Sequence, residues 1–268
     1  MKVDKFRTVI IYIIIILLGL VCLLPLLNIV AISFSSSAAV EGNMVGLIPV
    51  GFSTAAYEKI LEDSQFWHSF LISVERVVLT LIINFVLIVL MAYPLSKTNA
   101  QFRGRNIYAN LMIFAMLFNG GMIPTFLLVK SYGLLNTVWA LVLPGAVPIF
   151  NVILVMNFFA AVPKELEEAA FIDGANPLQV LTKIFIPISK PVLATVSLFS
   201  IVGSWNDFYS GLIYMSKAAY YPLMTYIQSL QINVEDLIKQ GNLSAVVDSA
   251  SLGNTNLNAA KIVVAVIP

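Results

Sequence analysis

One carboxylate stands inside an apolar run. Asp207 is the only charge in Pro191–Ser216, and Trp205, Asn206 and Tyr209 lie beside it. A charge within a membrane helix is costly and normally faces a cavity or a partner. A ring to stack on, an amide and a phenol are groups that suit a polyhydroxylated solute. The same four residues also read as an aromatic interface belt with an anchoring acid. Glu165, Glu167 and Glu168 form a second acidic group, in a polar stretch between two apolar runs. Other chemistries are excluded by count. The single histidine, His68, removes sites that need several imidazoles, and the single cysteine, Cys22, removes a disulfide framework or a cysteine-rich metal site. There is no Gly-x-x-x-x-Gly-Lys-Ser/Thr phosphate loop.

The elements that position these residues belong to a bilayer. Of 268 residues, 59% are apolar and 11% charged, against ~45–50% and ~25% in soluble domains. The net charge of +1 lacks the concentrated basic surface of a nucleic-acid binder. A spanning helix needs ~20 mostly apolar residues. The apolar stretches predict span one at Val9–Ile32 and most of span two at Val77–Ser96, reaching back through Glu75 and Arg76 towards Ser69. Span three is placed at Asn106–Val129, span four at Val138–Phe159 and span five at Pro191–Ser216. Asn258–Pro268 begins a sixth apolar run, about ten residues that alone do not cross ~30 Å. Span one is longer than the ~7–15-residue core of a signal peptide and reads as a retained helix. Lys2, Lys5, Arg7, Lys97, Arg103, Arg105, Lys164, Lys183 and Lys190 fall on one side, which predicts a cytoplasmic N-terminus. Glu75 and Arg76 are expected as a helix-end pair reaching interfacial water, with His68 and Trp67 marking the same boundary. Lys261 is expected near the same surface. Asn119-Gly120-Gly121 with Pro124 is expected to break span three. Met112, Met116 and Met122 are expected in the core, as is Cys22.

The segment 163–190 has a readable grammar. Pro163 suits a first helical position, and the glutamates crowd first turns, where the helix dipole favours anions. Gly174 fits the left-handed position that ends a helix. Asn176 then suits an N-cap, Pro177 the first position and Gln179 the third, as in a capping box. A second short helix is expected to about Phe185, with Pro187 and Pro191 ending it. Leu166, Ala169, Ala170, Leu178, Leu181 and Ile184 are available to pack. The prediction is two short helices joined by a tight turn, a rigid knob for a soluble partner.

Here the residues resemble a known family. Glu168-Ala169-Ala170, three residues, Gly174, nine residues, then Ile184-Phe185-Ile186-Pro187 is similar to the coupling-loop signature of ABC importer permeases. Ile186 stands where the family often has leucine. Ala92-Tyr93-Pro94-Leu95-Ser96, Gly121-Met122-Ile123-Pro124-Thr125, Tyr132-Gly133-Leu134-Leu135-Asn136-Thr137 and Gly203-Ser204-Trp205-Asn206-Asp207 resemble the maltose-type, oligosaccharide branch, and its second permease subunit in particular.

That resemblance implies an all-α polytopic membrane protein of six transmembrane helices in the family, the sixth incomplete in this sequence. It implies a single transmembrane domain over 1–268, with a cytoplasmic coupling loop at 163–190 and an outer loop at 217–257. The function implied is half of the translocation pathway of an ATP-driven importer, for oligosaccharides or modified sugars. The coupling residues implied are Glu168, Ala169, Ala170, Asp173, Gly174, Ile184 and Pro187; Trp205, Asn206, Asp207 and Tyr209 are candidates for the solute pathway. No cofactor is implied in this chain, because ATP and Mg²⁺ belong to the ATPase subunits. The partners implied are a second, different permease subunit, two ATPase subunits, an extracytoplasmic sugar-binding protein that the outer loop reaches, and membrane lipid. The loop signature is shared with importers of peptides or amino acids. A secondary transporter is the rival class; it needs coupling-ion sites within the membrane, usually inside an internal repeat, and no clear repeat is present.

Overall fold

The computed structural model describes residues 5–118, 120–230 and 254–266, and every described element is a helix. The chain forms two compact units.

The first unit comprises residues 1–68 and 223–268. Its long helix α1 (Lys5–Ser33) exposes every residue from Val9 to Leu27, as a helix solvated by lipid does. Cys22 is among them and is exposed rather than core; an apolar helix in a bilayer has no need to bury a thiol. Helices α2 (Ser37–Glu41) and α3 (Ala55–Glu62) follow. The helix α14 over 223–230 and α15 (Asn254–Val266) complete the unit, and α15 packs on α1 and α3. Lys261 lies inside α15, buried, with its Nζ on Asp63 Oδ2 at 2.5 Å and on the Tyr226 hydroxyl at 3.1 Å. This corrects the expectation of an interfacial lysine: an ammonium inside a packed helix is retained because a carboxylate meets it.

The second unit spans Ser69–Pro222. Its axis is α4 (Ser64–Leu95), 32 residues long, so span two starts earlier than its charge-free stretch. Pro94 lies in the last turn. One face of α4 changes character along its length: Ser69, Ser73, Arg76, Thr80 and Asn84 are buried polar residues, then Ile88, Ala92 and Leu95 are buried apolar ones. The apolar half joins Val152, Val155 and Phe159 of α8 (Ile149–Ala160) and Val192, Leu193 and Val196 of α12 (Lys190–Asn206) in the core.

Three spans are bent. Span three divides into α5 (Arg105–Leu117) and α6 (Met122–Ser131), whose axes differ by 110°. Gly121, at φ +89°, precedes α6, and Asn119 lies outside the described residues. Span four is α7 (Val138–Val142), a 3₁₀ turn at Leu143–Gly145, and α8, with a 47° bend at Pro144 and Pro148. Span five begins as expected, within one residue of Pro191, and is corrected at its far end: α12 stops at Asn206, not Ser216, and α13 (Tyr209–Tyr214) is separate. Met116 and Met122 are exposed rather than core, while Met112 packs against it.

Candidate functional site

One region gathers the predicted coupling residues, and a second contains one of the four predicted pathway residues. The first is the knob at 163–190. Helix α9 runs Lys164–Ile172, with Pro163 as its N-cap rather than its first residue. Its end is a complete Schellman turn: Ala175 N–H bonds Ala170 O at 2.9 Å and Gly174 N–H bonds Phe171 O at 3.1 Å, with Gly174 at φ +81°. The expected capping box is present on α10 (Pro177–Val180): Asn176 Oδ1 accepts from Gln179 N–H, and Gln179 Oε1 from Asn176 N–H, each at 2.9 Å. The second helix does not stop at Phe185. A π turn at Leu181–Phe185 carries it into α11 (Ile186–Ile188), whose second residue is Pro187, and an 84° bend at Ser189 leads to α12. The π turn spares the Pro187 ring from the ordinary i−4 clash that would end an α-helix.

The knob has a packed face and an open one. Ala170, Ala175 and Ile184 pack against the core that holds Val180, Leu181 and Phe185. Glu168, Ala169, Asp173, Gly174 and Pro187 are exposed. So are Leu166, Phe171, Ile172 and Leu178, Ile172 at 87%; Leu166 and Leu178 were expected to pack. Exposed apolar side chains gathered in this way are a usual mark of an interaction surface. A groove of about 440 Å³ lies at the joint, lined by Ala170, Asp173, Gly174, Lys183 and Ile184 among others.

Glu167 is turned the other way. Its side chain is 10% exposed, and that of Lys97 is 11% exposed; Lys97 Nζ donates to Glu167 Oε2 at 2.7 Å. The ammonium also lies 4.1 Å from the Tyr93 ring centre and 4.2 Å from that of Phe185. Burial pulls the Lys97 pKa below the usual lysine value, opposed by Glu167. The sequence reading missed this pair. Its available signal was periodic: Glu167 and Ala170 are three apart and share a helix face.

The second region is a cavity of about 290 Å³ between α4, the bent span four, α12 and α13. Arg76, Thr80, Asn84, Asn151, Ser200, Ser204, Asp207, Ser210 and Tyr214 supply its polar lining. Arg76 is buried and does not pair with the exposed Glu75 as expected. It spans to α12 instead, Nη2 on Asp207 Oδ2 at 2.5 Å and Nη1 on Asp207 O at 2.9 Å. The other oxygen, Oδ1, accepts from Ser210 N–H at 3.1 Å. Asp207 thus ends one helix, begins the next and neutralises a buried guanidinium. Asn84 Nδ2 reaches Ser200 Oγ at 3.2 Å, while Asn84 Oδ1 and Arg76 Nε have no protein partner. Buried polar groups are normally satisfied; these two atoms are closed off from solvent as well, so the polar cluster behind the cavity lining is incompletely paired.

Of the four pathway candidates, Asp207 lines the cavity. Trp205 packs edge-on to Phe70, centroids 5.8 Å apart. Asn206 donates to Val202 O at 2.9 Å, and the Tyr209 hydroxyl to Met122 Sδ at 2.9 Å; both residues are exposed. Asn84, Asn151 and Ser200 were missed, although polar side chains in apolar runs were a visible signal. Most of the outer loop, including Asn233, Glu235, Asp236, Asn242 and Asp248, lies outside the described residues.

The model of a family described as "Binding-protein-dependent transport system inner membrane component" matches residues 78–247. The chain is 42% identical to protein LplC of Bacillus subtilis, over 80% of this chain and 72% of that one. It is 38% identical to the polygalacturonan/rhamnogalacturonan transport system permease protein YtcP of the same organism, over 99% and 91%. Among solved structures, a bacterial ABC transporter involved in the import of the acidic polysaccharide alginate superposes with a TM-score of 0.88 at 32% identity, over 100% of this chain and 94% of that one. The chain belongs to the binding-protein-dependent transport system inner membrane components, the membrane-embedded permease subunits of ABC importers.

Proposed function

We propose that this permease carries oligosaccharides, that its polar cavity is part of the solute path, and that segment 163–190 receives the ATPase. The printed names of relatives support the solute class: polygalacturonan and rhamnogalacturonan, alginate, and multiple sugars. One observation carries the path. The cavity joins Arg76, Thr80 and Asn84 of α4 to Ser200, Ser204 and Asp207 of span five. A hydroxyl both donates and accepts, so it suits such a wall. Arg76 and Asp207 pair with each other, which leaves the wall's hydroxyl and amide groups to meet the hydroxyls of a sugar ring.

The knob supports the coupling half of the reading. Glu168, Ala169, Asp173, Gly174 and Pro187 lie open beside Phe171 and Ile172, on helices fixed by a Schellman turn and a capping box. ATP and Mg²⁺ are then held by the ATPase subunits, and this chain supplies the mechanical link. The whole chain acts as one importer domain, paired with a different permease chain and served by an extracytoplasmic binding protein at the outer loop 217–257. The N-terminus is cytoplasmic.

The test uses the assembled transporter with its binding protein in proteoliposomes, given oligogalacturonides and alginate oligomers. Asn84→Leu fills the cavity wall with a branched apolar group and should cut uptake at least about tenfold, the scale of ~1.4 kcal/mol, with assembly unchanged. Uptake equal to wild type in that variant would remove the cavity from the path. For orientation, a cysteine at Asn99 or Gln101, both exposed, should react only from the cytoplasmic side of intact cells; reaction from outside would reverse the topology.

A further inference from the structure

The buried charge pair between Lys97 and Glu167 has no part in the solute cavity and does not face outward for docking. It joins the end of α4 to the first turn of α9. Tyr93, Lys97 and Phe185 form a closed group around it: the Tyr93 and Phe185 rings meet edge to face at 5.1 Å, and Phe159 of α8 meets Phe185 at 5.4 Å. A buried ion pair contributes little net stability compared with apolar residues of equal volume. What it does specify is registry, because only one placement of α9 on α4 satisfies both charges. The partner on the other side of α4 is equally placed. Lys97 lies two residues beyond the end of α4 at Leu95, and from that end about 30 Å of helix leads back to Arg76 and its bond with Asp207 on the cavity wall.

We propose that Lys97–Glu167 is a transmission clasp: it fixes the ATPase-receiving helix α9 to α4, so that displacement of α9 moves α4 and, with it, the polar face that lines the cavity. Lys97 is a positioning residue acting through Glu167. This rests on the reading of 163–190 as the coupling element. Coupling between distant sites needs contiguous physical connections with two discrete arrangements. Here the connection is one pair, one rigid helix and a second pair. The clasp itself stays closed through the cycle, and the bodies it joins move together.

The experiment uses the assembled transporter, with ATPase subunits and binding protein, in nanodiscs. A Cys22→Ser background carries Ser204→Cys as a reporter in the cavity wall. The readout is the rate of labelling by a membrane-impermeant maleimide, with and without ATP in EDTA. With the pair intact, ATP should change the rate about fivefold or more, the lower end of ordinary coupling between sites. Lys97→Met and Glu167→Gln should abolish that change while the ATPase subunits stay bound and, in a separate assay with Mg²⁺ restored, hydrolyse ATP. The exchanged pair, Lys97→Glu with Glu167→Lys, should restore it. A full ATP-dependent change in Lys97→Met, with ATPase bound, would overturn the clasp.

A second arm holds if the single variants fail to assemble. Cysteines at Lys97 and Glu167 are bridged by a flexible bis-methanethiosulfonate. A clasp that stays closed predicts an ATP response preserved in the bridged protein; loss of the response on bridging, with recovery on reduction, would contradict it. The reading beneath it is checked separately, by ATPase retention in Glu168→Lys. Full retention there removes the docking reading, whereas an intact ATP response in Lys97→Met removes the clasp alone.

Discussion

Arg76 and Asp207, 131 residues apart in sequence, meet as a guanidinium with both a carboxylate and the backbone carbonyl of the same aspartate. The pair closes α4 onto the end of α12, and α12 stops at that point because the Asp207 carboxylate accepts from Ser210 N–H and starts α13. A structural clamp and a cavity wall are therefore one feature. Removing one charge leaves the other stranded. Arg76→Met or Asp207→Asn should cost about 3 kcal/mol, the low end for breaking a buried pair, because the Asp207 side chain keeps 29% of its exposure. Thermal melting of the purified transporter checks this. The double variant Arg76→Met with Asp207→Asn should lose less than the sum of the two; strict additivity would show that the residues do not interact.

Asp63 offers a pH test outside the spans. Burial raises its pKa, but the Lys261 ammonium, the Phe66 N–H and the Tyr226 hydroxyl lower it more, so the carboxyl titrates below its ordinary value of 3.8. A carboxylate with a folded-state pKa below the unfolded one adds stability that is present above the unfolded value and lost as pH falls through the folded one. The Tm difference between wild type and Lys261→Met should then be constant from neutral pH down to about pH 5 and close as pH falls below 3.8. A difference that grows with acidity would reverse the sign of this linkage.

Gly174 stands at φ +81° with open space where a Cβ would be. Its requirement is for backbone conformation, not for room. Gly174→Val should strain the turn by about 1–2 kcal/mol and release the angle between α9 and α10. Gly174→Asn, which tolerates the left-handed region, should keep most ATPase binding. Equal loss of ATPase in the two variants would point to a steric contact with the partner instead of to the turn.

Much of this was legible from local rules. The helix stop at Gly174 and the capping box of Asn176 and Gln179 were predicted from the residues, because helix ends are written in four or five adjacent positions; the Schellman bonds that close the stop were not. The break at Gly121 and the all-helical membrane class followed from glycine, proline and apolar run length. The pairs Arg76–Asp207, Lys97–Glu167 and Lys261–Asp63 were not legible, since spacing along the chain says nothing of which distant charge fills a buried site. The polar stripe Ser69, Ser73, Arg76, Thr80, Asn84 was readable as one helix face, and it marks where the cavity lies. Span five was mistaken at its end because Asp207 was read as a charge tolerated within a helix, whereas its side chain terminates that helix and begins another. Glu167 was grouped with exposed neighbours; its place on the Ala170 face was the signal that separates it from Glu168.

The most direct test is ATPase retention by Glu168→Lys in the solubilised transporter. Glu168 is exposed on the knob beside Phe171 and Ile172, and a reversed charge facing a basic groove costs several kcal/mol. The permease pair should still assemble in the membrane, the ATPase subunits should be lost or hydrolysis uncoupled from uptake, and a charge reversal in the ATPase groove should restore both. Full ATPase retention with full sugar uptake in Glu168→Lys would contradict the assignment of 163–190 as the element through which ATP drives this permease.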